Sequence, residues 1–279
     1  MGLFSLPAHA WGGRAPAAVH VLIKAMSLDV HLFPCLSDNY GMLARDAESG
    51  LVACVDTPDA EVILAEADRL GWTISLILNT HWHADHTGGN AAVKAATGAP
   101  IAAPAAEAQK IGSTDRLVRE GDRVELGATA FDVLETGGHT LGHVSYYSAS
   151  AGVAFVGDTL FTLGCGRLFE GTPEMMWRSL VKLAALPAET QVYCAHEYTA
   201  SNAGFALSLD DDAGVAARAA EVFAWREQGR PTVPTTIGLE RATNPFLRAP
   251  VLAGRLGLAG VTDAEAFAAV RAAKDSFRG

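Results

Sequence analysis

The sequence predicts an α/β fold followed by a small helical domain, and three observations carry that prediction. From Met26 to Tyr198, short apolar runs of strand type alternate with stretches of helical period. At four strand ends the chain gives way to loops bearing histidine or aspartate, the usual place for a site on an open sheet. After Tyr198 the strand signal fades into alanine-rich helical segments. The expected division is therefore an extension over 1–25, a catalytic domain over 26–198 and a helical domain over 199–279.

Taken in order, residues 1–25 show neither helical nor strand period. Ala8-His9-Ala10 has the shape of a signal-peptide cleavage site, but no positive region precedes it and the apolar stretch is short. Leu6 stands where myristoylation favours serine or threonine. This extension reads as an upstream start or a disordered arm. Val52–Asp56 reads as a buried strand, and Ala60–Leu70 as an amphipathic helix with Val62, Ile63, Ala65 and Leu70 available to a core. Leu76–Leu78 is the next strand, Gly88–Ala96 a short helix, and Ile101–Ala102 another strand. Strands then cluster between Val124 and Val156, before a helix over Pro173–Leu186 and a strand over Gln191–Ala195. Two further helices, Ala213–Gln228 and Asp263–Phe277, flank a break at Arg230-Pro231-Thr232-Val233-Pro234-Thr235-Thr236.

The most informative run is Asn79-Thr80-His81-Trp82-His83-Ala84-Asp85-His86, directly after the apolar Ile74–Leu78. His81 and His83 are two apart, so on an extended backbone they project to the same side. Asp85 and His86 point apart unless the chain turns between them. All four fit two ions side by side better than one. Solitary histidines usually pack or face solvent, but three of the nine in 279 residues fall within the six positions 81–86. Imidazole with carboxylate suits zinc, iron or manganese.

More donors follow other strands. His139 lies in Gly137-Gly138-His139-Thr140-Leu141-Gly142-His143, Asp158 in Gly157-Asp158-Thr159, and His196 just after Gln191–Ala195. His81, His83 and His139 would hold one ion, and Asp85, His86 and His196 the other. Asp158, with two carboxylate oxygens, would bridge them. His143 reads as a residue that supports the ligands rather than one of them. His9, His20 and His31 lack companions and read as surface or packing residues.

This constellation resembles the metallo-β-lactamase superfamily, whose signature is HxHxDH followed by later His, Asp and His ligands. The resemblance implies an αββα sandwich, two packed sheets between outer helices. Gly164-Cys165-Gly166-Arg167-Leu168-Phe169-Glu170-Gly171-Thr172, Cys194-Ala195-His196-Glu197-Tyr198-Thr199, Asn244-Pro245-Phe246-Leu247-Arg248 and Arg271-Ala272-Ala273-Lys274-Asp275 narrow it. From Met26 onward the chain is similar to the glyoxalase II, or hydroxyacylglutathione hydrolase, family. The resemblance implies that Arg167, Arg271 and Lys274 place the glutathione moiety and that Tyr198 contacts substrate. Phe169 stands where some members carry tyrosine, so that hydroxyl's hydrogen bond is absent here.

The resemblance also implies hydrolysis of S-lactoylglutathione or a similar 2-hydroxyacyl thioester at two divalent ions, zinc first, with iron or manganese as alternatives. It places the chain in methylglyoxal detoxification. Other activities in the same superfamily stay open: a glutathione persulfide dioxygenase with a single iron, a lactonase or a β-lactamase.

Composition agrees. A net charge of −10 gives no general pull on an anionic tripeptide, so local cations must supply it. Arg271 and Lys274, three apart, are neighbours on one helical face, behind a capped start at Thr262-Asp263-Ala264-Glu265. The acidic balance and the lack of a basic stripe argue against nucleic acid. No apolar run approaches the length of about 18 to 20 residues that spans a membrane. The cysteines, Cys35, Cys54, Cys165 and Cys194, have no CxxC spacing and read as reduced thiols packed in a cytoplasmic, monomeric protein.

Overall fold

The computed structural model describes residues 28–278; the extension over 1–25, with His9 and His20, lies outside the described residues. In chain order the elements are β1 (Leu28–Cys35), β2 (Asn39–Asp46), β3 (Val52–Val55), α1 (Ala60–Leu70), β4 (Ile74–Leu78), α2 (Ala84–Thr87), α3 (Asn90–Thr97) and β5 (Ile101–Pro104). Then come α4 (Ala108–Ile111), β6 (Arg116–Val118), β7 (Arg123–Leu126), β8 (Thr129–Glu135), β9 (Val144–Ser148), β10 (Val153–Gly157), β11 (Leu160–Phe161) and β12 (Gly164–Cys165). The chain continues through α5 (Pro173–Ala184), β13 (Gln191–Cys194), α6 (Thr199–Leu209), α7 (Ala213–Glu227), β14 (Thr235–Thr236), α8 (Ile237–Thr243), α9 (Ala249–Leu252) and α10 (Asp263–Ser276).

Two six-stranded sheets form, ordered β1-β2-β3-β4-β5-β6 and β14-β13-β10-β9-β8-β7. Their inner faces meet in one core: Met42, Ala53, Val55 and Leu78 from the first sheet pack with Phe131, Val133, Tyr146 and Phe155 from the second. Strand alternation sends Val52 and Cys54 to the other face, where Ile63 and Ala67 of α1 and Val93 of α3 cover them. Met176, Leu180 and Leu183 of α5 join the core from the far side. This is the αββα sandwich. Phe205, Phe246, Phe267 and Val270 from the C-terminal helices belong to the same apolar cluster.

Four differences from the sequence reading have physical causes. The helix expected over Gly88–Ala96 is α3, which starts only at Asn90, and Gly88–Gly89 separate it from the additional single turn α2. Gly89 donates to the Thr57 carbonyl at 2.8 Å, and a Cβ there would stand 2.8 Å from that oxygen. The β1–β2 hairpin escaped the pattern because seven of the eight residues of β2 are buried, which erases alternation. The break at 230–236 ends in the edge strand β14, which pairs with Gln191 and Val192; an edge position tolerates the neighbouring prolines. Helix α6 also went unread, since it buries Thr199, Asn202, Ala203, Phe205 and Ala206 and shows little one-sided apolar face.

One buried carboxylate staples the sheets. Asp46, at the end of β2, accepts from the Thr129 backbone N–H at 3.0 Å and hydroxyl at 2.7 Å, and from Ser49 N–H and hydroxyl at 2.7 Å each. Burial pushes its carboxyl up, but these donors outweigh it and hold it at about 2.

Candidate metal centre

The donors converge where β4, β8, β10 and β13 end. The run Thr80–His83 leaves β4 without regular structure, and the single turn of α2 carries Asp85 and His86. Gly157 closes β10 at φ +46°, where a Cβ would stand 2.6 Å from both His143 Nε2 and Thr80 Oγ1; glycine is needed here. A Cβ on Gly166 would run into the Asp158 carbonyl. Ligand atoms of three sets lie within 4.8 Å of one another: His81, His83 and His139; Asp85, His86 and His196; and His81, His86 and Asp158.

Hydrogen bonds fix which ring nitrogen faces inward. Thr80 gives its hydroxyl proton to Asp56 Oδ2 at 2.8 Å, so in its 3.0 Å contact with His81 Nδ1 the ring N–H is the donor. His86 Nδ1 donates to Asp56 at 2.8 Å, His139 Nδ1 to the Arg167 carbonyl at 2.8 Å and His196 Nδ1 to Asp38 at 2.9 Å. Each ring thus turns a bare Nε2 lone pair inward. His81 Nε2 and His139 Nε2 both lie 3.0 Å from His83 Nδ1, which has at most one proton to share between them. Lone pairs so crowded call for a cation.

The second set tells the same story. His86 Nε2 lies 3.5 Å from Asp85 and 3.4 Å from Asp158 Oδ1. His196 Nε2 lies 3.5 Å from Asp85 and 3.4 Å from Asp158 Oδ2, and His139 Nε2 is 3.3 Å from that same Oδ2. Four-coordinate zinc with nitrogen or oxygen ligands at about 2.0–2.1 Å has donor–donor edges of about 3.3–3.4 Å. Buried His86 Nε2 and Asp158 Oδ1 have no hydrogen-bond partner, and an ion between them would satisfy both. The residues present fit metal.

Burial, reinforced by neighbouring rings, pushes His81 and His143 well below the ordinary imidazole range, and burial lowers His83 and His139; neutral rings are the ligating form. For His86, burial is overcome by Asp158 and Asp56, which push it up. The close approach of His86 holds Asp85 far below the carboxylate range, and His86 and His196 do so for Asp158 against its burial.

His83, Asp85, His139, Asp158 and His196 open into a cavity of about 470 Å³. The other residues singled out in the sequence line the same cavity: Arg167, Phe169, Tyr198, Arg271 and Lys274. Exposed Phe169 sets its ring edge-to-face against His139 and His83, at 5.2 and 5.7 Å. Tyr198 stacks flat on His196, 4.7 Å between centroids. Arg271 is buried, donating to the Cys165 carbonyl at 3.1 Å and to Asp275 at 2.8 Å. Lys274 donates to the Ser201 carbonyl and hydroxyl at 3.0 Å; burial, with Arg271 and Arg167 nearby, lowers its ammonium to about 8.

A family model described as the metallo-beta-lactamase superfamily matches residues 44–196, and one described as the hydroxyacylglutathione hydrolase C-terminus matches 197–277. The hydroxyacylglutathione hydrolase of Maricaulis maris is 55% identical over 251 residues, 89% of this chain and 98% of that protein. The chain belongs to the hydroxyacylglutathione hydrolase family. Among solved structures, ETHE1 from Myxococcus xanthus is similar at 25% identity and a TM-score of 0.62, covering 89% of this chain and 97% of that one. TTHA1623, solved in a di-iron-bound form, is similar at 27% identity and a TM-score of 0.55, covering 78% of this chain and all of that one.

Several residues of this hydroxyacylglutathione hydrolase family site were invisible in the sequence. Asp56, Asp38 and Asn39 hold His86, His196 and Asp85. Asp56 directly follows a strand, and that position was its one signal. Glu107 accepts from the Trp82 and Gly142 backbones at 2.8 Å each. Glu170 accepts from Leu141 N–H at 3.0 Å, Trp82 Nε1 at 3.1 Å and Lys110 at 2.7 Å. These two carboxylates lace the donor loops together. His143 is buried and accepts the Asp158 backbone N–H at 3.1 Å, a supporting position. His31 packs on Phe33 and meets Glu66 at 2.8 Å.

Proposed function

We propose that this chain hydrolyses S-(2-hydroxyacyl)glutathione, chiefly S-lactoylglutathione, to glutathione and the free 2-hydroxy acid, in methylglyoxal detoxification. One observation carries the reading: the convergent His and Asp donors and the Arg167, Arg271 and Lys274 cations share one cavity. His81, His83 and His139 would hold one divalent ion, Asp85, His86 and His196 a second, and Asp158 would serve both. Zinc suits the set best, with iron or manganese also accommodated. Such ions supply a Lewis acid for the thioester carbonyl and a water acidified toward neutrality.

The chain's own residues do the rest. The cations draw an anionic tripeptide into a cavity of a protein whose net charge is −10. Tyr198, fixed flat on His196, and Phe169, against His83 and His139, form the walls nearest the donors. The leaving group is a thiol of pKa about 8.5, which departs without a dedicated acid. Cys165 lines the cavity, but burial pushes its thiol up to about 11, which disfavours the thiolate. We further place the protein in the cytoplasm as a monomer; its four cysteines are free, and no helix among the described residues is long and apolar enough to cross a membrane.

The test is a substrate pair: S-lactoylglutathione against the lactoyl thioester of N-acetylcysteamine, which lacks the charged tripeptide. The glutathione thioester should have the higher kcat/KM by about 100-fold or more, from two or three lost charged contacts. Equal kcat/KM would remove glutathione from the reading.

A further inference from the structure

We infer that the Asp38–Asn39 turn sets how firmly the Asp85, His86 and His196 half-site holds its ion, and that this half-site is the exchangeable one. The inference rests on the two-ion reading above. Asp38 closes the turn after β1 and Asn39 opens β2, yet they serve ligands from elsewhere in the chain. Asp38 accepts from His196 Nδ1 at 2.9 Å. Asn39 Nδ2 donates to Asp85 Oδ2 at 3.0 Å and to the Asp85 carbonyl at 3.2 Å. Two of three ligands in this half-site therefore hang on two adjacent residues of one turn.

The turn is docked across the two sheets. Asn39 bridges His196, Glu197 N–H donates to the Asp38 carbonyl at 2.9 Å, and Tyr40 N–H donates to the Ala195 carbonyl at 2.7 Å. The other half-site is secured differently. His81 leans on Thr80 within its own loop, and His139 on the Arg167 backbone.

Solvent access separates the two arrangements. Thr80, on which His81 of the other half-site leans, is 0% exposed, whereas the Asp38 side chain is 39% exposed. Behind the turn lies a second cavity of about 280 Å³, with Asp38, Asn39, Tyr40, Glu197 and Arg226 in its wall. Water competes for the Asp38 carboxylate and not for the buried Thr80 hydroxyl. A ring held by a hydrated partner is oriented less strictly, and ligand-orienting partners of this kind govern metal affinity by about 10- to 100-fold. Asp38 and Asn39 are positioning residues and touch no substrate.

The test follows metal content per chain while the zinc-loaded protein is titrated with EDTA. The wild type should lose its ions in two steps. Asp38→Ala should move the first step to about 10- to 100-fold lower chelator and leave the second in place. Asn39→Ala should move it the same way, while Asp38→Asn, which keeps an acceptor for His196 Nδ1, should restore most of the shift. In the cobalt(II)-loaded protein, the ion-shifted ring N–H resonance of His196 should vanish with the first ion and those of His81 and His139 with the second. Loss of both ions in one step by the wild type overturns the inference even where a variant fails to fold, as does an Asp38→Ala titration matching the wild type. A wild type that takes up no ion, or only one, would instead sink the two-ion reading.

Discussion

The two ends of the main cavity are built differently. At the donor end, His81, His86, His139 and His196 each have the second ring nitrogen tied, and Glu107 and Glu170 lace the surrounding loops. These side chains spring from strand ends of a doubly covered sandwich. At the cation end, Lys274 leans on one serine, Arg167 is exposed, and the supporting elements are helices. The difference teaches a division of labour. A rigid, hydrogen-bonded cluster suits groups that must hold geometry within fractions of an ångström, while on the proposed reading the cations need only bind a flexible anion uniformly.

The comparison breaks or sharpens according to how substitutions divide between kcat and KM. The largest effect should come from Asp158→Ala, which removes the carboxylate shared by His86, His139 and His196. Turnover should fall by on the order of 10³-fold or more with the fold retained by circular dichroism. A near-normal kcat would end the shared-carboxylate account. Next, Lys274→Ala should raise KM by about tenfold and leave kcat within a factor of about three, because its contact is alike in ground and transition states. A fall in kcat with an unchanged KM would move Lys274 into the chemistry. Arg271 is a harder probe: it is buried and holds the Cys165 carbonyl, so its loss should also lower thermal stability.

A pH profile sharpens the cation end further. Burial lowers Lys274 to about 8, so its charge is present below that pH and lost as pH rises through it. The kcat/KM for an anionic thioester should therefore fall above about pH 8, and Lys274→Arg, which keeps its charge, should flatten the fall. An identical profile in that variant would assign the limb to another group. The smallest effect on activity should come from Asp46→Asn, far from either end. Asp46 is held at about 2 in the fold, below its unfolded value of about 3.9. Its stabilisation is thus present above the unfolded value and lost as pH falls toward 2. The variant should lose about 1–3 kcal/mol at pH 7 in urea unfolding and keep wild-type kcat; equal stability across that range would deny the staple.

The same contrast explains what could be read from the chain. The donor residues were legible because His81, His83, Asp85 and His86 crowd six positions, and the remaining donors each follow an apolar strand. Most strands from β3 to β13 were legible as apolar runs, with α1 read to its ends, while the sandwich itself came from the resemblance. The hairpin before β3 was not legible, because a strand buried on both faces carries no alternation. Asp38 and Asn39 gain their role only when β13 docks beside that hairpin, a contact 158 residues apart in sequence for Asp38 and His196. Arg271 and Lys274 are two charges on a helix, and spacing alone does not separate them from solvated ones; only the resemblance did.

The most direct measurement is S-lactoylglutathione hydrolysis by the purified protein with metal content determined on the same sample. The account predicts turnover at ordinary enzymatic rates, about 10 s⁻¹ or more, with close to two ions per chain, both lost to chelator together with activity. Full turnover in a metal-free sample, or two bound ions with no thioester hydrolysis, would contradict it.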